Sequence, residues 1–346
     1  MKPWPLAALL SLTLGTAAIG AEMTLPWPVS NNAVAVAQGP DGPTLYSFLG
    51  MGAGKTFRDI VPLAAACPLK KGTCTALPAP PLPQGRIAGT AATIGGKVYL
   101  FGGYSVGEDG TEVSNPEALA FDPKSGQWDA KAPIPVPVDD SVSVTFQDRY
   151  VYLVSGWHED RNIANVQVFD TKENKWFDAS PFPGTPVFGQ AGAISGNKMV
   201  IADGVAIVGK KPDGHNLYGL VNEAWEGEID AADPAHIIWR RLPPHPGKPA
   251  YRMAAAGLGS RALFAGGSEN PYNYNGLGYD GVPSPASARL FGYDVVAEKW
   301  IEFPNKKLPS MDHRGMLASG GKLYILGGMI GAQKVTDRVQ VMDAPR

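Results

Sequence analysis

The sequence predicts an all-β chain of six four-stranded units, closed into a β-propeller by a strand from the N-terminus. Two patterns that recur along the chain and a last repeat that stops one strand short are the observations behind it. Gly (42) and Pro (32) are abundant but scattered, which suits many short strands joined by turns.

The first pattern is a β-branched and aromatic strand ending in Gly-Gly. Lys97–Gly103 (KVYLFGG) and Lys322–Gly328 (KLYILGG) are near copies, and Ala262–Gly267 is a third. Degenerate copies run over Leu45–Gly50, Tyr150–Gly156 and Met199–Gly204, which makes six heads. The second pattern is Asp, a turn, Trp and then Pro. Asp122 and Trp128, Asp170 and Trp176, and Asp294 and Trp300 share one spacing, with a looser copy from Asp230 to Trp239. Pro133, Pro181, Pro243 and Pro304 follow the tryptophans. Four short strands per repeat of roughly 50 to 60 residues are one propeller blade.

The sixth repeat has its head and an Asp strand, Val339 to Asp343, and then ends without a Trp strand. Glu22–Leu25 is an orphan strand-like piece, and pairing it against Val339–Asp343 would complete the last blade and leave no open edge. Residues 1–21 read as a cleavable export signal: Lys2, an uncharged apolar run from Leu6 to Ile19, then small residues. The expected organisation is a leader over 1–21 and a single propeller over 22–346, in a periplasmic or secreted protein. No later run is long and apolar enough for a membrane span.

A formal net charge of −2 without a Lys/Arg block leaves no footprint for nucleic acid. The two cysteines, Cys67 and Cys74, flank a plausible hairpin connection, and in an oxidising compartment such a pair is expected to form a disulfide. Two ligands are too few for a structural zinc site, so neither a metal nor another cofactor is expected.

These heads and tails resemble the kelch family along nearly the whole chain after the leader. The Gly pair allows a turn where a Cβ would clash, and the Trp offers apolar area to pack between blades. Cys74 stands where the first blade would carry its Trp, so a disulfide is expected to replace that anchor.

In an antiparallel blade, the second-to-third loops and the links between blades share one face, around the central channel. A ligand is expected there. Ser268–Gly281 is the richest loop, with three tyrosines, three asparagines and two carboxylates. Sugars suit such a set, because their C–H faces stack on rings and their hydroxyls need donors and acceptors. From it come Asn273, Tyr274 and Tyr279 as binding residues, and Glu269 and Asp280 as proton-transfer groups. Trp157 and His158 form a second cluster, Trp157 as a binding residue, and His158 and His313 are two further acid–base candidates. Arg86, Arg252 and Arg314 stand at blade entries and could hold a carboxylate ligand or pair with channel acids such as Asp140 and Asp312.

Among exported kelch propellers, the chain looks most like the bacterial N-acetylneuraminate epimerases (sialate mutarotases), in its length, leader, closing strand and Tyr/Asn-rich fifth loop. The resemblance implies mutarotation at the anomeric centre of a small, possibly acidic sugar such as sialic acid, an isomerase of carbohydrate metabolism without a metal. That family carries a glutamate just after the fourth head Gly and an arginine shortly beyond. Here the stretch reads Asp203-Gly204-Val205, with no arginine before Glu223. The alternative is a non-catalytic propeller that binds a glycan or a protein. A copper-radical oxidase resembling galactose oxidase is disfavoured, since neither cysteine lies on the channel face to crosslink a tyrosine. A closed propeller has no obligatory interface, so the sequence sets no oligomeric state.

Overall fold

The computed structural model describes residues 22–345. The leader read over residues 1–21 lies outside them. Five four-stranded antiparallel sheets and one three-stranded sheet follow one another along the chain. Blade 1 runs from Ala33–Gly39 to Thr75–Leu77, blade 2 from Thr90–Ile94 to Gln127–Lys131, and blade 3 from Val142–Phe146 to Lys175–Asp178. Blade 4 runs from Ala191–Ser195 to Ile237–Leu242, blade 5 from Ala254–Leu258 to Lys299–Phe303, and blade 6 from Leu317–Ser319 to Val339–Asp343. The first strand of blade 1 touches the first strands of both blade 2 and blade 6, so the ring is closed. The chain is a six-bladed β-propeller. Its described residues contain no α-helix, only the 3-10 turn Phe57–Asp59.

The first strands converge on the axis and are built from small side chains that fit there; Ala33, Ala35, Ala92, Ala191, Ala193, Ala254 and Ala256 are all buried. The second glycine of each head has positive φ in all six blades, from +81° at Gly267 to +121° at Gly156. A Cβ on Gly156 would also stand 2.6 Å from the Asp139 carbonyl oxygen, which explains why only glycine occurs there. The first glycine is replaceable, because Leu49, Ser155 and Asp203 hold the same left-handed conformation.

Between blades the tryptophans work as the sequence suggests. Trp176, Trp239 and Trp300 donate their indole N–H to Ala132, Ser180 and Pro243, carbonyls just past the last strand of the preceding blade. Blade 1 has no such ring. Its disulfide, Cys67–Cys74, lies in an apolar cluster with Leu317, Tyr324 and Leu326 of blade 6, and partly buried Trp27 packs beside it.

The N-terminal segment meets blade 6 at one isolated bridge and adds no fourth strand to its three-stranded sheet, so the expected pairing along Val339–Asp343 does not form among the described residues. Thr24 bridges Arg338, the Leu25 N–H donates to the Asp337 carbonyl at 2.7 Å, and the Val339 N–H donates to the Met23 carbonyl at 3.0 Å. Contact is confined to the start of the last strand rather than spread over Val339–Asp343. Pro26 and Pro28, which have no N–H, stand immediately after this short ladder.

Each blade is entered by one antiparallel bridge to the residue after its head: Ser30–Met51, Ile87–Tyr104, Asp139–Trp157, Phe188–Val205, Tyr251–Ser268 and Met311–Met329. The next residue is left-handed every time: Asn31, Ala88, Asp140, Gly189, Arg252 and Asp312. Their backbones make a belt of hydrogen bonds around the channel mouth. Each N–H from Asn31 to Arg252 donates to the carbonyl of the preceding blade's equivalent residue, and His313 closes the circle onto Arg252. Above the belt, four second-to-third loops are themselves small hairpins, the longest being Val205–Lys210 with Asn216–Leu220 in blade 4.

Candidate functional site

Three of the six belt residues are charged, and their side chains plug the channel. Arg252 is buried and forms a two-pronged pair with Asp140, at 3.0 and 2.6 Å, and a third contact with Asp312 at 2.9 Å. Arg314 reaches Asp140 at 2.6 Å and the Ser141 carbonyl at 2.7 Å. Two cations and two anions thus neutralise one another where burial would otherwise make each costly. The plug divides the axis. Below it is a channel cavity of about 250 Å³, lined by the first strands together with Gln190, His313 and Arg314.

Above the plug, on the loop face, is a second cavity of about 300 Å³. Tyr104 and Glu112 come to it from blade 2, Asp139 and Trp157 from blade 3, and Phe188, Lys211, His215, Asn216 and Tyr218 from blade 4. Blade 5 supplies Arg252, Asn273, Tyr274 and Tyr279. The rings are continuous: Trp157 meets Phe188 edge-on at 5.3 Å between centroids, and Tyr218 lies 4.4 Å from Tyr279. Burial raises the phenols of Tyr104, Tyr218 and Tyr279, so these rings serve as neutral faces and O–H donors.

Asp139 breaks the repeat. Its equivalents in the other blades are Ser30, Ile87, Phe188, Tyr251 and Met311, none of them charged. Its carboxyl is buried and accepts one hydrogen bond, from the Ser114 hydroxyl at 2.6 Å. Burial above all, and then the neighbouring Asp140 charge, pushes it well above the usual carboxylate range. Glu112 shows solvent at its outer side, yet burial among the cavity walls raises its carboxyl too, with Arg252 pulling the other way. A local rule broken at a cavity wall is what a functional group looks like.

A kelch motif matches residues 86–134, which take in blade 2 and its entry. Kelch-like protein 15 from Gallus gallus is 31% identical over 114 residues, covering 33% of this chain and 23% of that protein. Kelch domain-containing protein 3 from Homo sapiens is 25% identical over 263 residues, covering 70% of this chain and 64% of that protein. In both cases the chain spans less than two thirds of the relative's length. Among solved structures, that of YjhT superposes with a TM-score of 0.72 at 17% identity, over 92% of this chain and 99% of that one. At that identity the likeness is one of fold. The chain carries a kelch motif on a six-bladed propeller.

Of the residues singled out in the sequence, Trp157, Arg252, Asn273, Tyr274 and Tyr279 meet at the loop-face cavity. The others do not line it. Glu269 is exposed and pairs with Lys248 at 3.3 Å. Asp280 caps its own turn at the Val282 N–H and accepts from Asn270, and these bonds hold its carboxyl low. His158 spends Nδ1 on the Pro137 carbonyl, at 2.7 Å. His313 is buried under the plug with Nε2 on Ser310, and burial, with Lys306 nearby, pushes it down to about 3. Arg86 is buried against Glu117 at 2.7 Å, and Arg314 belongs to the plug. The guanidiniums are therefore engaged by the protein's own acids, the other of the two arrangements open from the sequence. Asp203 is likewise internal: it clamps blade 4 to the link into blade 5 through His245, at 2.8 Å, and the Ala250 N–H.

Glu112, Lys211 and Tyr218 carry no signal in the sequence, whereas Asp139 and His215 fall on the ligand face in the sequence without an assigned role. A usable signal was present for Asp139 alone: aligning the six entries puts a carboxylate in a column of otherwise uncharged residues.

Proposed function

We propose that this chain is an exported propeller that binds a carbohydrate in the loop-face cavity and catalyses proton exchange at its anomeric centre. The observation that carries the reading is Asp139, a buried carboxyl against a wall of rings where the repeat otherwise places uncharged side chains. Rings offer stacking faces to a pyranose, and Asn216 and Asn273 offer paired donors and acceptors to its hydroxyls. Ring opening needs a base for the anomeric O–H proton and an acid for the ring oxygen as the bond from it to the anomeric carbon breaks. Reclosure on the other face reverses both transfers. Asp139, the more strongly raised carboxyl, is suited to hold the proton that the ring oxygen receives. Glu112, more open to solvent, is suited to ionise and take the hydroxyl proton. Export rests on the leader-like residues 1–21 and accords with the Cys67–Cys74 disulfide.

The test is anomer exchange followed by NMR on common hexoses, with and without the protein. Exchange speeded by the parent and lost in Asp139→Asn supports the enzyme. Saturable sugar binding without exchange makes the chain a glycan-binding module, and neither effect removes the carbohydrate reading.

A further inference from the structure

With the arginines committed, the charges left facing the cavity have an unexpected sign. Among the described residues the Glu112 carboxyl has no hydrogen-bond partner and no cation within salt-bridge distance, and the Asp139 carboxyl has only the Ser114 hydroxyl. Arg252 is paired with Asp140 and Asp312. Lys211 turns its ammonium onto the wall, donating to the Tyr279 carbonyl at 3.1 Å, and His215 stands beside it at the exposed tip of the blade 4 hairpin. The rings add the negative faces of their π systems, which attract cations. A carboxylate ligand would meet acids and ring faces; an ammonium would meet what it needs.

We propose that the cavity recognises a cationic ammonium group, held between the ring faces and the Glu112–Asp139 carboxyl pair, and that its sugar is an amino sugar. The ammonium follows from the walls of the cavity; only the sugar part rests on the carbohydrate reading above. One bound positive charge favours loss of one proton from the pair. Because burial raises both carboxyls in the free protein, affinity for the cation increases as pH rises through their titration. The other charged groups facing the pair are Asp140 and Arg252, fixed in the plug, and Lys211 and His215 at the rim. His215 is the imidazole at the rim, so His215→Gln serves as the control.

Calorimetric titration with choline, its neutral tert-butyl isostere, glucosamine, glucose and glucuronate separates the sources of binding. Choline is expected to bind at least ~10-fold tighter than its isostere, and glucosamine tighter than glucose and glucuronate. Repeating the choline titration in two buffers of different ionisation heat should show net proton release. Tighter choline binding from about pH 5 to pH 8 should persist in His215→Gln and flatten in Glu112→Gln with Asp139→Asn. Equal binding of choline and its isostere, preference for glucuronate, or proton uptake overturns the proposal. Accelerated glucose anomer exchange with no cation preference would leave the proposed function standing and remove this inference; choline binding without sugar exchange does the reverse. Choline bound without preference for glucosamine keeps the ammonium site and removes the amino sugar.

Discussion

A buried carboxyl must be neutral or be paired, and Asp139 has no cationic partner within salt-bridge reach among the described residues. Its folded value is raised above an unfolded value of about 3.9. As pH rises past that figure, the unfolded chain releases the proton while the folded chain keeps it, so stability falls until the folded value is reached. Asp139→Asn carries no proton to lose. Urea midpoints stepped upward from about pH 4 should therefore decline more steeply for the parent than for the variant; parallel declines would show that Asp139 is ordinary. Arg252 presents the opposite case, since both of its acids are buried. Arg252→Met should cost about 3–5 kcal/mol, because Asp140 and Asp312 keep their burial and lose most of their compensation. A loss below ~1 kcal/mol in chemical denaturation would mean that Arg314 alone suffices.

Blades meet through rings and single polar contacts, and the seams are not equivalent. Trp176 donates to a carbonyl of blade 2, whereas the buried Trp128 N–H facing blade 1 has no hydrogen-bond partner among the described residues. Trp176→Phe should therefore lose a hydrogen bond worth ~0.5–1.5 kcal/mol beyond the change in packing, and Trp128→Phe should not. Equal losses in matched denaturation curves would contradict this. Between blades 5 and 6 the seam is polar: buried Lys306 donates to Ser310, at 2.7 Å, and to Gln340 and the Leu308 carbonyl. Burial pushes its ammonium down to about 7. Since an unfolded lysine titrates near ~10.4, the folded chain gives up this proton first, and stability should rise between about pH 7 and pH 10. Lys306→Met should abolish that rise; a rise that persists would assign it elsewhere.

The closed ring has to be fastened where its two ends meet, between blades 6 and 1. The seam there lacks a tryptophan in blade 1 and relies on the Cys67–Cys74 disulfide, partly buried Trp27 and the bridge from Thr24 to Arg338. Deleting residues 22–28 removes the Thr24–Arg338 bridge and the Met23 and Leu25 backbone contacts at the start of the last strand. The truncated protein should unfold at lower denaturant with a smaller m-value, as blade 6 frays ahead of the rest. Unchanged unfolding would show that the ring closes without this strap. The small disulfide loop adds a further ~2–3 kcal/mol, measurable as the shift in midpoint on reduction. No helix among the described residues is long and apolar enough to cross a membrane.

Six glycine-ended heads and the Asp-to-Trp spacing are local features, and they were enough to specify blade number and the inter-blade rings. Each follows from short-range geometry: a positive φ that only glycine tolerates beside a carbonyl, or an indole placed a fixed distance past a turn. The cavity is different, because its walls come from four blades and its chemistry depends on which charges cancel. Arg252, Arg314 and Asp140 are far apart in the chain, and only the belt of left-handed residues brings them together as a plug. From the sequence the arginines could equally face a ligand or these acids. Likewise Glu269 and Asp280, rich in promise within their loop, turn outward once Lys248 and Asn270 are in place. Burial and pairing are properties of the assembled ring. They pair Arg252 and Arg314 with the plug acids and leave the Asp139 and Glu112 carboxyls without a cationic partner among the described residues.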